Sequence, residues 1–136
     1  MTNGERVTYF YETVVSQNLL EELPAYISGD CIWSMGGETA PCGLEGMRRH
    51  LSEVRRTYPD YRMKIIRQWE AGRQVISEFV MEGTLRGEWL GLRPTRERMT
   101  FTGVNIDEVV DGKITAHGGA VNTFETLWEH RLIGPV

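Results

Sequence analysis

Apolar residues in the first half of the chain recur at the spacing of amphipathic helices. One stripe predicts a first helix, capped by Thr2 or Asn3, and consists of Val7, Phe10, Tyr11, Val14 and Val15. Similar spacing predicts a second, short helix over residues 19–27 and a third helix over residues 44–54. Between these two helices we expect a short strand at residues 31–33 and a glycine-containing loop at residues 36–43.

The second half of the chain alternates with a period of two and is rich in branched and aromatic residues. This pattern predicts strands over residues 62–69, 74–83, 97–110 and 113–122, followed by a helical stretch around residues 124–128. Asp111 and Gly112 form a strong two-residue hairpin signal between the last two strands. We therefore expect an α+β fold in which a curved antiparallel sheet forms a cone-shaped cup, with three N-terminal helices packed on its concave face.

Composition narrows the class of protein. A length of 136 residues, with 40% hydrophobic and 25% charged residues, fits a single globular domain over residues 1–136. A net charge of −4 argues against nucleic-acid binding. The longest uncharged run, residues 114–124, is too short and too polar to cross a membrane. The N-terminus lacks the pattern of a secretory signal, so we expect a cytoplasmic protein whose Cys31 and Cys42 are free thiols.

The middle of the chain is locally basic, with twelve basic and seven acidic residues among residues 46–98. Four of its arginines recur at helical spacing in and just after the third predicted helix, with Glu45 and Glu53 among them: Arg48, Arg49, Arg55 and Arg56. Such mixed charge at helical spacing is typical of a solvated helix face.

Six segments, in this order and spacing, resemble the SnoaL-like polyketide (ester) cyclase family of the NTF2-like superfamily. They are GLEGM at 43–47, YPD at 58–60, GTLRGE at 83–88, LGLRPT at 90–95, FTGVNI at 101–106 and DGKI at 111–114. The resemblance covers nearly the whole chain. It implies an α+β cup with a deep apolar pocket for a small carbonyl compound, and a homodimer formed through the outer sheet face. Apolar residues predicted on that outer face are Ile76, Val80, Val104 and Ile106.

The resemblance also implies a chemistry. Cyclases of this family close a ring by an intramolecular aldol reaction without a cofactor, and an aspartate at the end of the last strand moves the proton. Asn122 stands at that position here, and a carboxamide cannot act as a general base near neutral pH. Leu85 replaces a family histidine and Gly118 a family tryptophan, which predicts a changed pocket.

A two-residue turn at Asp111 and Gly112 fixes which residues of the last two strands share a face. Opposed residues then have numbers that sum to 223. These residues share one face: Phe101, Gly103, Asn105, Asp107, Ala116, Gly118, Ala120 and Asn122. The resemblance to the superfamily implies that this face lines the cup. Its small residues predict a roomy pocket. Alternatively, Gly118 and Gly119 mark a β-bulge, which would bring His117 into the pocket.

Four polar residues are candidates for the chemistry of the cup. Asn105 and Asn122 could each hold a ligand carbonyl, or could satisfy loop and backbone groups. Asp107 is either a buried base or a charge at the rim near the turn. His50, on the apolar face of the third helix, could take a carbon-bound proton or be a core histidine bound to a backbone carbonyl. Our hypothesis gives catalysis to Asn122, His50 and Asp107.

Aromatic residues are the remaining candidates for ligand contacts. Trp33 is predicted to stack on a conjugated ligand, with Trp89 and Phe101 as further walls beside Asn105 and Gly118, although each aromatic ring could simply pack in the core. The sequence carries no phosphate loop, nucleophile elbow or metal-ligand spacing, so neither a metal nor another cofactor is predicted.

These residues support two functions of different classes. The first is a cofactor-free cyclase or isomerase that acts by proton transfer on an apolar carbonyl compound. The second is a binding protein without catalysis on the same scaffold, which the replacement of the family aspartate by Asn122 favours.

Overall fold

The computed structural model describes residues 1–135 and has the predicted α+β architecture. The helices are α1 (Asn3–Tyr9), α2 (Leu23–Tyr26), α3 (Gly43–Thr57) and α4 (Thr123–Glu129). The strands are β1 (Ile27–Met35), β2 (Glu38–Pro41), β3 (Arg62–Ala71), β4 (Gln74–Thr84), β5 (Arg98–Val110) and β6 (Lys113–Val121). Within residues 1–135, no helix is long and apolar enough to cross a membrane.

The predicted first helix is confirmed, with a change of winding along its length. Thr2 and Glu5 form a reciprocal capping box that starts α1, and the chain then continues as a π-helical segment, Phe10–Val15. Tyr11 and Val15 of this segment are both buried in the core. The predicted second helix is shorter than expected, because a 3₁₀ turn, Leu20–Glu22, leads into the single turn of α2.

The sheet contains six strands in the order β2-β1-β6-β5-β4-β3. The expectation of a purely antiparallel sheet is wrong, because β1 lies parallel to β6, with Trp33 opposite His117. Strand β2 was expected to be loop. All four of its residues are exposed, so no alternation of burial marks it in the sequence.

Alternating burial along β5 identifies the concave face of the sheet. Met99, Phe101, Asn105 and Asp107 point inward and are buried, whereas Val104 and its outward neighbours are exposed. The hydrophobic core fills the space between this face and the helices α1 and α3. Helix α3 contributes Met47 and Leu51 to this core.

The hairpin of β5 and β6 contains a β-bulge that the sequence reading placed elsewhere. Val109 pairs with Ile114 as the turn predicts, but Glu108 pairs with Ala116, so Thr115 is the additional residue. The sequence analysis had considered a bulge in this strand, but at Gly118 and Gly119, so its predicted position is wrong. From Ala116 onward, the bulge shifts the register of β6 by one residue.

One arginine of α3 departs from the expected solvated face. The Arg55 guanidinium is partly buried, donates to the carbonyl oxygens of Val15 (2.6 Å) and Tyr61 (3.1 Å), and stacks on the Tyr61 ring. It thereby ties α3 to the end of the π-helical segment and to the start of β3.

Candidate active site

A cavity of about 370 Å³ lies between the concave face of the sheet and helices α1 and α3. Its walls are largely apolar and include Phe10, Met47, Phe79, Met81, Trp89 and Phe101. This volume is at the small end of the range of ligand pockets, about 300–1,000 Å³. The cavity therefore suits a compact small molecule better than a long chain.

Three polar side chains meet at one wall of the cavity. The Tyr11 hydroxyl donates to Oδ2 of Asp107 at 2.7 Å, and Nδ1 of His117 lies 2.7 Å from Oδ1 of the same carboxylate. The Tyr11 oxygen is also 3.1 Å from His117 Nδ1. Asp107 is 0% exposed, so the alternative that placed it at the rim is wrong. A carboxylate that is shielded from water is stable only where hydrogen-bond donors such as these replace its hydration.

The hydrogen bonds around Asp107 fix the state of its two partners. Burial, and next the nearby Asp107, raise the pKa of Tyr11 well above its ordinary value, so Tyr11 keeps its proton and donates. The carboxylate accepts a second hydrogen bond, which the Nδ1–H group of His117 donates. In a neutral imidazole the lone pair then lies on Nε2, for which residues 1–135 provide no hydrogen-bond partner.

His50 and Trp33 lie beside His117 at the mouth of the cavity. The Trp33 ring makes edge-to-face contacts with both imidazoles, with centroids 5.3 Å from His50 and 5.5 Å from His117. His50 lines the cavity but is also exposed, so it is not a core histidine. Partial desolvation of its imidazole, and next the nearby His117, lower the pKa of His50.

Asn105 and two aromatic rings lie where the sequence predicted them. Asn105 is buried in the cavity wall close to the Tyr11 hydroxyl. Trp89 and Phe101 line the cavity and contact each other edge to face at 5.6 Å. Trp33, in contrast, borders a surface groove beside α3 and reaches the site through the two histidines.

Tyr58 adds a polar group that the sequence analysis did not select. Its ring packs edge to face against Trp89 (5.6 Å) and Phe101 (5.8 Å) in the cavity wall. Its hydroxyl is buried and has no hydrogen-bond partner among residues 1–135. Burial raises the pKa of Tyr58, so the group stays a donor.

Besides Trp33 in the surface groove and Asp107 behind Tyr11 and His117, two more predicted site residues do not line the cavity. Asn122 is exposed, precedes α4 and donates from its amide to Glu125 at 3.0 Å, so its predicted place in the cup is wrong. Gly118 points to the other face, because the bulge at Thr115 moves it opposite the exposed Ile106. The predicted floor of small residues is therefore wrong, and His117 and Gly119 occupy the inner positions.

Sequence reasoning missed the roles of three residues for different reasons. Tyr11 belongs to the apolar stripe of the first helix and looked like core. His117 was reached only through a bulge at the wrong position. Nothing in the sequence signalled the unpartnered hydroxyl of Tyr58.

Among the described residues, no three His, Cys, Asp or Glu side chains cluster to hold a metal ion.

The fold and the site define a class: a small α+β cup whose apolar cavity has a carboxylate-bound histidine in its wall. The family model for SnoaL-like polyketide cyclases matches residues 5–128, and the chain belongs to this family. No curated protein matches the chain.

Solved structures share this fold at low sequence identity. IdmH, a candidate polyketide cyclase from Streptomyces antibioticus, is 20% identical with a TM-score of 0.83, over 96% of this chain and 99% of IdmH. A SnoaL-like polyketide cyclase from Agrobacterium tumefaciens is 16% identical with a TM-score of 0.82, over 98% and 99% of the two chains. AclR, a candidate hydroxylase from Streptomyces galilaeus, is 20% identical with a TM-score of 0.79, over 99% of this chain and 86% of AclR.

Proposed function

We propose that this protein is a cofactor-free enzyme that moves a proton on a small, apolar carbonyl compound bound in the cavity. His117 is the group that takes the proton, and Asp107 and Tyr11 are positioning residues. One observation carries the proposal: a histidine is held through Nδ1 by a fully buried carboxylate at the wall of an apolar cavity. This arrangement fixes the tautomer whose Nε2 accepts a proton.

The reaction needs only groups present in the cavity wall. Nε2 of His117 takes a proton from the carbon next to a carbonyl group, and the electron pair moves onto the carbonyl oxygen as an enolate. The amide of Asn105 donates to that oxygen, a role that a preorganised donor in a dry site performs well. If the compound has a second carbonyl, the enolate carbon attacks it. This attack forms the carbon–carbon bond that closes a ring. The resulting alkoxide takes the proton from His117, so that no atom is lost or gained overall.

His50 has a supporting role in this proposal. Its imidazole and that of His117 contact the same Trp33 ring, and its lowered pKa favours the neutral form near pH 7. A neutral imidazole at the mouth of the cavity can relay the proton between His117 and solvent. Trp33 then keeps both rings in place.

The cavity also indicates the kind of compound it takes. Trp89 and Phe101 offer flat apolar walls, which suit a conjugated or multi-ring ligand. The unpartnered hydroxyl of Tyr58 can donate to a second ligand oxygen at this aromatic wall, away from the Asp107 cluster. We therefore propose a compact, mostly apolar ligand with at least two oxygen acceptors.

The test is hydrogen exchange at the acidic carbon of a model ketone. Incubation of the protein with 2-tetralone in D₂O, followed by NMR, measures deuterium uptake beside the carbonyl above the background rate. We expect His117→Gln to lower the catalysed rate by about 10²-fold or more. His130→Gln, which changes a histidine bound to Glu97 outside the cavity, is the matched control and should exchange like the wild type.

The second candidate is a binding protein without catalysis, favoured by the exposed Asn122 at the family's aspartate position. Tryptophan fluorescence measures binding of the same ketone independently of exchange. Binding with no exchange above background would replace the enzyme proposal with this candidate.

A further inference from the structure

The two cysteines face each other where the β1–β2 hairpin joins α3. The register pairs Ile32 with Pro41, so the next opposed pair is Cys31 and Cys42. The Cys42 N–H donates to the Cys31 carbonyl oxygen at 3.1 Å, and the two thiols are close enough for each to shift the pKa of the other. Opposed residues of antiparallel strands have Cα atoms about 4.5–5.5 Å apart, within the range of about 4.4–6.8 Å that a disulfide spans. Both thiols are free in this structure.

The two sulfur atoms differ in their access to reagents. Cys31 is only 2% exposed, and burial raises its pKa to about 12. Cys42 is partly exposed and borders the surface groove that also contains Trp33 and His50. Burial raises its pKa too, but hydrogen bonds from the Cys31 thiol and the Met47 backbone act in the opposite direction. A reagent in the groove therefore meets Cys42 first.

We propose that Cys31 and Cys42 form a redox site that a small-molecule disulfide of the glutathione type oxidises to an intramolecular disulfide. The Cys42 thiolate attacks one sulfur of the reagent, forms a mixed disulfide and releases one small thiol. Cys31 loses its proton to solvent and attacks the Cys42 sulfur, which expels the second small thiol. The two cysteines together lose two protons and two electrons, and the reagent gains them as two thiols.

The new bond would join two elements that hold the mouth of the cavity. Cys31 precedes Trp33 by two residues in β1, and Cys42 directly precedes α3, which carries His50. Closing the loop of residues 31–42 restricts the unfolded chain, so the oxidised protein should melt about 5–10 °C higher than the reduced protein. This inference does not depend on the proposed function.

The experiment uses the wild-type protein. We incubate it with excess oxidised glutathione, quench with an alkylating reagent in denaturant and measure the intact mass. We expect the loss of two hydrogens, no alkylation, a higher Tm, and reversal of all three by dithiothreitol. Stable glutathione adducts on the wild type, or two thiols that stay reduced until the protein unfolds, would overturn the proposal.

Two single variants separate the roles of the cysteines. Cys31→Ser should stop at one stable glutathione adduct on Cys42, because the second thiol is missing. Cys42→Ser should react far more slowly in the folded state, because Cys31 is buried. Equal reaction of both variants would show that access through the groove does not order the steps, which also contradicts the proposal.

Discussion

Tyr11 and Tyr58 provide the sharpest test of the site's hydrogen bonds, because the same change should have opposite effects at the two residues. Both rings line the cavity and are only 3% exposed. Tyr11 donates to the buried Asp107 at 2.7 Å, whereas the buried Tyr58 hydroxyl finds no partner among residues 1–135. Replacement by phenylalanine removes one oxygen atom and leaves each ring in place.

The magnitudes follow from what each hydroxyl touches. A hydrogen bond to a charged group contributes about 1.5–3 kcal/mol, so Tyr11→Phe should lower the free energy of unfolding by about that amount. An unsatisfied buried polar group costs about 1–3 kcal/mol, so Tyr58→Phe should be neutral or raise the free energy of unfolding by about 1 kcal/mol. For a chain of 136 residues, 1 kcal/mol shifts Tm by about 3–4 °C.

The assay is thermal and urea unfolding of the two variants beside the wild type at pH 7. Tyr11→Phe should melt about 5–10 °C lower, and Tyr58→Phe at the same temperature or a few degrees higher. A loss of 1 kcal/mol or more in Tyr58→Phe would refute the argument, because the hydroxyl would then have a stabilising partner. With a bound ketone, Tyr58→Phe should bind more weakly despite its stability if the hydroxyl receives a ligand oxygen.

Three further predictions concern the sheet and the mouth of the cavity. Gly118→Ala should lower the free energy of unfolding by about 1–3 kcal/mol, because the added methyl group would collide with the Ser34 carbonyl oxygen. Gly29→Ala is the control and should leave the free energy of unfolding unchanged, because a methyl group there has no neighbour within 4 Å. Urea unfolding midpoints measure both variants. The lowered pKa of His50 means that the unfolded chain binds its proton more readily, so stability should fall as the pH drops below about 6.5, and less steeply in His50→Gln. Light scattering should find a homodimer that Ile106→Lys, on the exposed outer sheet face, converts to monomer; a monomeric wild type would contradict this expectation.

Strand β5 could be read from the sequence because polar and apolar side chains alternate along it. Phe101, Asn105 and Asp107 are inward as predicted, and Phe101 and Asn105 differ clearly from their outward neighbours. Strand β6 offers no such contrast, because residues 116–120 comprise small residues and one histidine. A single additional residue at Thr115 therefore reverses every inward assignment beyond it, and no pattern in the sequence reveals the reversal.

The unpredicted bulge also explains why Asp107 was predicted from the sequence but its partner His117 was not. Once the resemblance places Phe101 on the inner face, the period of two along β5 places Asp107 there too, and a buried carboxylate requires partners. Once the bulge is known, the register supplies His117, which lies opposite Asp107 in the neighbouring strand. Tyr11 comes from a segment 96 residues away in sequence, and its spacing is that of an ordinary core residue. Only the packing of the π-helical segment on the sheet shows that the Tyr11 hydroxyl binds Asp107 and that Tyr11 is not just a core residue. Local patterns can therefore point to Asp107, whereas its tyrosine partner is found only in the tertiary structure.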